Sequence, residues 1–450
     1  MDKMFVPFII VGILCIIPVK NKKINFFLCI GAMTIMIAIF AFNNKSVDQY
    51  AYEVLYTDND YFPVEKGYLI ICNLFRKLGL SYGMFKYVFA SILSLLVYLR
   101  FKKYEFTGFR YALLSYFLSS YCFDAEQSRF TFAGTIVVLA SCLLEKRGII
   151  RMIIFAGIVA LATTIHTSSV LYLALLLVKL KIKSLRVVAL VFSFFTLVIG
   201  FLKPDLSFIG NLIYSFIPNE RILMWFNFET NFGWIGPFLT IVLFSVFLEL
   251  SRKASINNDR FSDAQKNVIE FAYKTSLIFY ISAPLSCFAT DFIRIIRIFI
   301  PFYLAIIALV MIKLRGLDKK YPYAMFLILF PIFFAIQGKR GLLAYNDYYC
   351  STLILKNGFF DKISSVVVSF FIILIVFALF AMLIKKKHKK YVAISESNSS
   401  TESENNLVID NETNKNNSFE SANKEELNDD NKTQIDIVDD KNDFSSKEKE

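Results

Sequence analysis

Long apolar runs, separated by short turns that carry most of the lysines and arginines, dominate the chain as far as about residue 384. They fall at roughly 5 to 19, 24 to 42, 83 to 99, 110 to 123, 130 to 144, 149 to 164, 167 to 180, 187 to 202, 235 to 250, 275 to 290, 298 to 312, 322 to 337 and 363 to 384. By length and hydropathy these predict about thirteen membrane-spanning helices. Several are shorter than the roughly 20 residues that cross a bilayer, so flanking polar residues are expected to extend the same helices. A barrel would need short segments of alternating polarity and many turns, so the predicted class is an all-α, polytopic integral membrane protein. The first run follows a single Lys3, lacks a small-residue cleavage site and is closed by Lys20, Lys22 and Lys23, so it reads as a span and not as a cleaved signal.

Composition agrees and adds a boundary. Of 450 residues, 56% are hydrophobic and 16% aromatic, with 49 Phe but only 17 Gly and 10 Pro, a balance unsuited to a water-facing surface. The formal charge of +12 conceals a division: residues 391–450 hold 16 acids against 6 Lys, whereas residues 1–390 hold 43 Lys and Arg against 21 acids. A transmembrane domain over 1–390 is therefore followed by an acidic tail, 391–450, whose polar composition predicts a disordered cytoplasmic extension. The basic residues punctuate apolar runs, so they read as topology signals and imply no nucleic-acid partner. Alternate turns carry 28 Lys and Arg on one side and 15 on the other, which puts the N-terminus outside and the C-terminus inside. Seven cysteines show no CxxC or Cys/His grouping, so no metal site, cofactor or required disulfide is expected.

In this orientation the outer face carries three long loops, 43–82, 203–234 and 338–362. In the first, Tyr68, Leu69, Ile71, Leu74, Phe75 and Leu78 recur at helical spacing and predict an amphipathic helix on the membrane surface. The same loop holds Asp48, Tyr50, Tyr52, Glu53, Glu65 and Tyr68. Carboxylates accept hydrogen bonds from sugar hydroxyls and tyrosine faces stack on sugars, so this composition suits carbohydrate; interfacial tyrosines are the alternative.

Charges beside apolar runs cost about 2.5–3.5 kcal/mol each at mid-bilayer and so mark a cavity, a partner or the headgroups. In the turn Asp124-Ala125-Glu126-Gln127-Ser128-Arg129, Arg129 opens a helix and is suited either to phosphate or to a salt bridge with Asp124 or Glu126. His166, in Thr163-Thr164-Ile165-His166-Thr167-Ser168-Ser169, reads as an acid–base group or as a satisfied turn histidine. Asp291, Arg294 and Arg297 share one helical side; there Asp291 is expected to pair with Arg294, leaving Arg297 for an anion. Lys339 and Arg340 add charge at another outer helix end.

Taken in order, Asp48-x-Tyr50-x-Tyr52, Glu65-x-Gly67-Tyr68, Arg129 with Ala133 four residues on, and His166-x-Ser168-Ser169 resemble the EpsG-type, Wzy-like polysaccharide polymerases. Arg297-Ile298-Phe299-Ile300-Pro301-Phe302-Tyr303 resembles the family's later Arg-containing helix. The likeness covers about residues 30 to 310, more weakly to 360. One departure is Phe130, where the family usually places Gln after the Arg. The resemblance implies a GT-C-like helical bundle. It implies polymerisation of undecaprenyl-pyrophosphate-linked oligosaccharide repeat units into capsule, exopolysaccharide or O-antigen at the outer face of the bacterial plasma membrane. The pathway's flippase and chain-length regulator are the implied partners, with membrane lipid.

It picks out Asp48, Tyr52, Glu65, Arg129, His166 and Arg297. The chemistry needs fixed cations near a departing pyrophosphate, for which Arg129, Arg294 and Arg297 are suited, with Tyr52 beside them. It also needs one base near the acceptor hydroxyl, and Asp48, Glu65 and His166 remain open for that role. A ligase of finished glycan and a flippase of lipid-linked sugar are the competing readings.

Overall fold

Backbone in hydrocarbon has no water to bond, so the apolar runs satisfy their own N–H and C=O groups as helices. A computed structural model describes residues 5–17, 19, 21–42, 47–58, 64–104, 108–202, 207–216, 233–289 and 292–337, and among them there is no strand. The order is α1 (Phe5–Ile16), α2 (Lys22–Phe42), α3 (Val47–Thr57), α4 (Lys66–Lys77), α5 (Tyr82–Lys103), α6 (Phe109–Phe117), α7 (Tyr121–Glu126) and α8 (Ser128–Ala140). Then come α9 (Ile149–Thr163), a 3-10 helix (Thr167–Lys179), α10 (Ile182–Leu202), α11 (Ser207–Phe216), α12 (Ile235–Ile256) and α13 (Asp263–Ile278). Three more follow, α14 (Ile293–Arg297), α15 (Ile300–Lys313) and α16 (Leu317–Gln337).

Among the described residues, five stretches are long and apolar enough to cross a membrane: Lys23–Ala41, Tyr82–Phe101, Ser128–Glu145, Ile182–Leu202 and Ile235–Ile256. Shorter apolar helices occupy Ile149–Thr163, Thr167–Lys179 and Ile300–Lys313. The expected run at 110–123 is divided between α6 and α7, and that at 275–290 between the end of α13 and two short 3-10 turns, Phe279–Ser282 and Pro284–Cys287. Loop 338–362, the run at 363–384, Lys339, Arg340 and the tail 391–450 lie outside the described residues, as does Asp291.

Burial sorts the helices by depth. From Phe302 to Val310 every residue of α15 is buried, as expected of a helix that is apolar all round and enclosed by neighbours; α6, α12 and α16 pack on it. On α10 the large apolar side chains Val187, Leu190, Phe194 and Phe201 are exposed along one side, the face that lipid covers.

The segment after His166 shows how a short run is used. Thr167–Lys179 is a 3-10 helix, and its buried residues are Ser169, Tyr172, Leu175 and Val178, spaced by three because this helix has 3.0 residues per turn. At about 2.0 Å per residue, 13 residues reach roughly 26 Å, against about 20 Å for an α-helix. The tighter winding carries a short run nearly across the hydrocarbon.

The predicted surface helix of the first loop exists as α4, but it does not simply lie on lipid. It buries Tyr68, Cys72 and Phe75 against the bundle and leaves Ile70, Leu74 and Leu78 exposed. Alternate helix ends gather polar groups into two clusters. One contains the Arg100–Glu145 ion pair at 2.8 Å, Arg110 donating to Asn25 at 2.6 Å and Gln265 donating to the Tyr104 carbonyl at 2.8 Å. The other is the candidate site.

Helix α6 reaches α15 through Gly108, where an added Cβ would stand 2.5 Å from the Ala308 carbonyl oxygen. Gly108→Ala is therefore expected to force the central helix aside at a cost of about 1–3 kcal/mol. A lowered melting midpoint of the purified protein checks this, and an unchanged midpoint refutes it.

Candidate functional site

The site is built by α3, α4, the α7–α8 junction, the turn between α9 and the 3-10 helix, and α14. Its deepest element is an ion pair. Arg297 donates from Nε to Asp124 Oδ1 at 2.8 Å and from an Nη to Gln127 Oε1 at 2.6 Å. Asp124 is 1% exposed and Arg297 2%. Tyr116 donates to the other carboxylate oxygen at 2.8 Å, and the Thr131 hydroxyl donates to the Asp124 carbonyl at 2.8 Å. Desolvating two ions costs several kcal/mol each and is offset only when hydrogen bonds also satisfy the rest of both groups. Arg297 is thus not left over for an anion, as its local spacing suggested; it is committed to an acid on another helix.

One layer away, Arg129 and Glu65 form a second pair, at 2.7 Å, instead of the local pairing of Arg129 with Asp124 or Glu126. The other Glu65 oxygen accepts from both the backbone N–H and the hydroxyl of Thr167, each at 2.7 Å. Burial acts to raise the Glu65 carboxyl, but the Arg129 guanidinium and the two Thr167 hydrogen bonds outweigh it and hold it below the usual carboxylate range. The approach depends on Gly67, whose N–H donates to the Thr164 carbonyl at 2.9 Å and where a Cβ would stand 2.6 Å from that oxygen. Glycine alone lets α4 dock on the His166 turn.

Tyr52 stands at the centre of these charges. The Arg129 guanidinium lies 5.5 Å from its ring centroid and 5.9 Å from that of Tyr68, within cation–π range. Burial pushes the Tyr52 phenol up; Arg129 opposes this, Asp48 adds to it, Arg294 opposes it and Glu65 adds to it. Four of the expected residues therefore act on the fifth. Arg129 is 8% exposed and its Nε has no hydrogen-bond partner among the described residues.

His166 closes the group. Its Nδ1 is 2.8 Å from Ser168 Oγ, and its ring meets Phe130 edge-on at 5.3 Å. Phe130 also lies 5.7 Å from the Arg297 guanidinium. Where the resemblance led to Gln, Phe130 thus contacts both the imidazole and the guanidinium, and Gln127 of the preceding turn accepts from Arg297.

The fold adds residues that spacing did not single out. Gln49 is fully buried; its amide donates to the carbonyls of Ala125, at 3.0 Å, and Glu126, and its oxygen accepts from Lys86 at 2.7 Å and Tyr82 at 3.2 Å. It fastens α3 to the junction that carries Arg129. Gln49 adjoins the Asp48 motif, and Lys86 is a cation inside the apolar run at 83–99, which was a legible signal.

The fold and the cluster define a polytopic, all-helical membrane protein with two interlocked ion pairs at one bundle end. The chain belongs to the EpsG family, whose model matches residues 24–347, and so to the membrane proteins related to polysaccharides. No curated protein and no solved structure matches it.

Two outcomes are expected. Asp124→Ala strands Arg297 in a buried place and should cost about 3–5 kcal/mol, whereas replacing both by apolar residues should cost less than either single change. Denaturation of the three variants checks the order. Because the Glu65 carboxyl is held low, its contribution to stability is complete above the unfolded value of about 4.3 and is lost as pH falls through the folded value. Melting midpoints of the native protein and Glu65→Gln should differ at neutral pH and draw together as pH falls below the unfolded value; a gap that is independent of pH contradicts this.

Proposed function

We propose that this protein is a membrane glycosyltransferase that polymerises oligosaccharide repeat units carried on a polyisoprenyl diphosphate such as undecaprenyl pyrophosphate. It would act at the outer face of the bacterial plasma membrane, building capsule, exopolysaccharide or O-antigen chains. The observation that carries this reading is Arg129: a buried cation above two tyrosine faces, with one nitrogen on Glu65 and Nε unpartnered. Guanidinium N–H donors held out of water suit a diphosphate, and tyrosine faces suit sugar.

In the reaction the acceptor hydroxyl oxygen bonds to the anomeric carbon, and the bond from that carbon to the diphosphate oxygen breaks. The electron pair leaves with the diphosphate and the hydroxyl proton passes to a base. Negative charge grows on the leaving group, where Arg129 offers donors already fixed in place, with Arg294 nearby. Glu65 is engaged by three donors, which leaves it a poor base and suits it to holding Arg129. His166 is the better acceptor of the proton: its Nδ1 meets Ser168 Oγ, which orients the ring, and imidazole is the side chain most often used as a general base. Asp48 is the alternative base. The excess of Lys and Arg in the turns at the other bundle end supports an external site.

The test is genetic and chemical. Deleting the gene should leave single repeat units exported but not lengthened. Arg129→Ala at normal membrane level should reproduce that pattern, with the loss in chain extension about 100-fold or greater, as for removal of one charge-stabilising donor. Gel profiles of cell-surface polysaccharide read the result. Normal chains would refute the reading, absence of any exported unit would indicate a flippase, and long chains retained on lipid would indicate a ligase.

A further inference from the structure

Beneath the ionic cluster, within the membrane-crossing part of the bundle, lies a cavity of about 150 Å³. Met33 and Ile37 of α2, Ala90 of α5, Ala112 of α6, Phe132 of α8 and Pro301 of α15 line it. Its wall is overwhelmingly hydrocarbon and thioether. Small residues on α5 and α6 open the space, and methionine and aromatic faces adapt to an irregular apolar guest.

Its polar end is specific. Tyr116 and Thr131 also line the cavity, and both donate to Asp124, to the carboxylate and the carbonyl respectively. The cavity therefore ends one hydrogen bond from the Asp124–Arg297 pair. Helix α8 joins the two regions, since Arg129 enters the ionic cluster while Thr131, Phe132, Thr135 and Val138 face the cavity. At about 1.5 Å per residue, Val138 lies roughly 13 Å along the helix from Arg129.

We propose that this cavity seats the polyisoprenyl chain of the lipid-linked substrate, with its diphosphate at Arg129 at the head of α8. The inference rests on the function proposed above and adds where the carrier lipid enters the fold. A cavity lined by α2, α5, α6, α7, α8 and α15 that ends at one ionic cluster suits one chain under one anionic head. The slot fixes the carrier by its first isoprene units, so that only the head and its sugar project into the ionic cluster.

The test uses the purified full-length chain in detergent and a polyisoprenyl diphosphate bearing a diazirine on its isoprene units near the head. After photolysis, mass spectrometry should place the label on the peptides that carry Met33–Phe40 and Thr131–Val138. Excess unlabelled polyisoprenyl diphosphate should displace it, and Ala112→Trp, which fills the cavity, should lower it at least tenfold. Ala90→Leu, a smaller filling, should lower it several-fold and guards against a misfolded tryptophan variant. Label on other helices that neither variant changes overturns the slot, even if Arg129→Ala abolishes chain extension. Equal labelling of the same peptides by a diazirine phosphatidylglycerol, undisplaced by polyisoprenyl diphosphate, also overturns it. Displaceable label in the slot of a protein whose Arg129→Ala variant still extends chains would uphold the slot and remove the polymerase reading.

Discussion

The Asp124–Arg297 pair is the constraint on which the rest of this bundle end depends. Its members are 173 residues apart, on α7 and α14, and neither is tolerable in its place without the other. An unpaired buried charge costs several kcal/mol, so every competing arrangement of these helices that separates the pair is penalised. The pair also has geometric content: Nε and an Nη of Arg297 reach different acceptors, and Tyr116 and Thr131 hold Asp124 from the opposite side. Once Asp124 is fixed, the next five residues fix Arg129, and the aim of its guanidinium follows from the course of the α7–α8 junction.

The second pair follows from the first and is held from outside the bundle. Glu65 precedes α4, and α4 docks because Gly67 permits backbone contact with Thr164 and because Tyr68, Cys72 and Phe75 bury their side chains. Gln49 ties α3 to the same junction by its amide. Two loop helices are thus fastened to a membrane bundle by polar contacts at their starts and apolar ones along their length. Rigid placement of this kind lets a charge act on a ligand without first being reorganised.

Much of this was legible in the letters, for a physical reason. Apolar runs announce helices, and alternation of turns puts Asp48, Tyr52, Glu65, Arg129, His166 and Arg294 at the same end of the bundle, where the fold indeed gathers them. What spacing could not give was who pairs with whom. Local reasoning joined Arg129 to Asp124 or Glu126 because those neighbours are near in sequence; the fold gives Arg129 to Glu65 and Asp124 to Arg297, since burial rewards the most completely satisfied pairing over the nearest one. The 3-10 winding of Thr167–Lys179 was hidden for another reason. In an almost wholly apolar segment, periods of 3.0 and 3.6 look alike, and the buried series Ser169, Tyr172, Leu175, Val178 emerges only when neighbours choose a face. Lys86 escaped notice because it sits inside an apolar run instead of between two.

Charge bookkeeping within the cluster constrains how it can meet an anion. Asp124 with Arg297 and Glu65 with Arg129 are each neutral, so the two pairs satisfy folding and offer little net attraction. The proposed diphosphate carries two or more charges, and its binding would draw on the donors that pairing leaves over. Among the described residues Arg129 retains an unpartnered Nε. Because Glu65 is already bonded three ways, it need not give up Thr167 when Arg129 turns part of its guanidinium toward a ligand. The carboxylate keeps its hydrogen bonds, the desolvation cost of sharing the arginine is kept small, and in the reaction proposed above the cation would remain available as negative charge builds on the leaving oxygen.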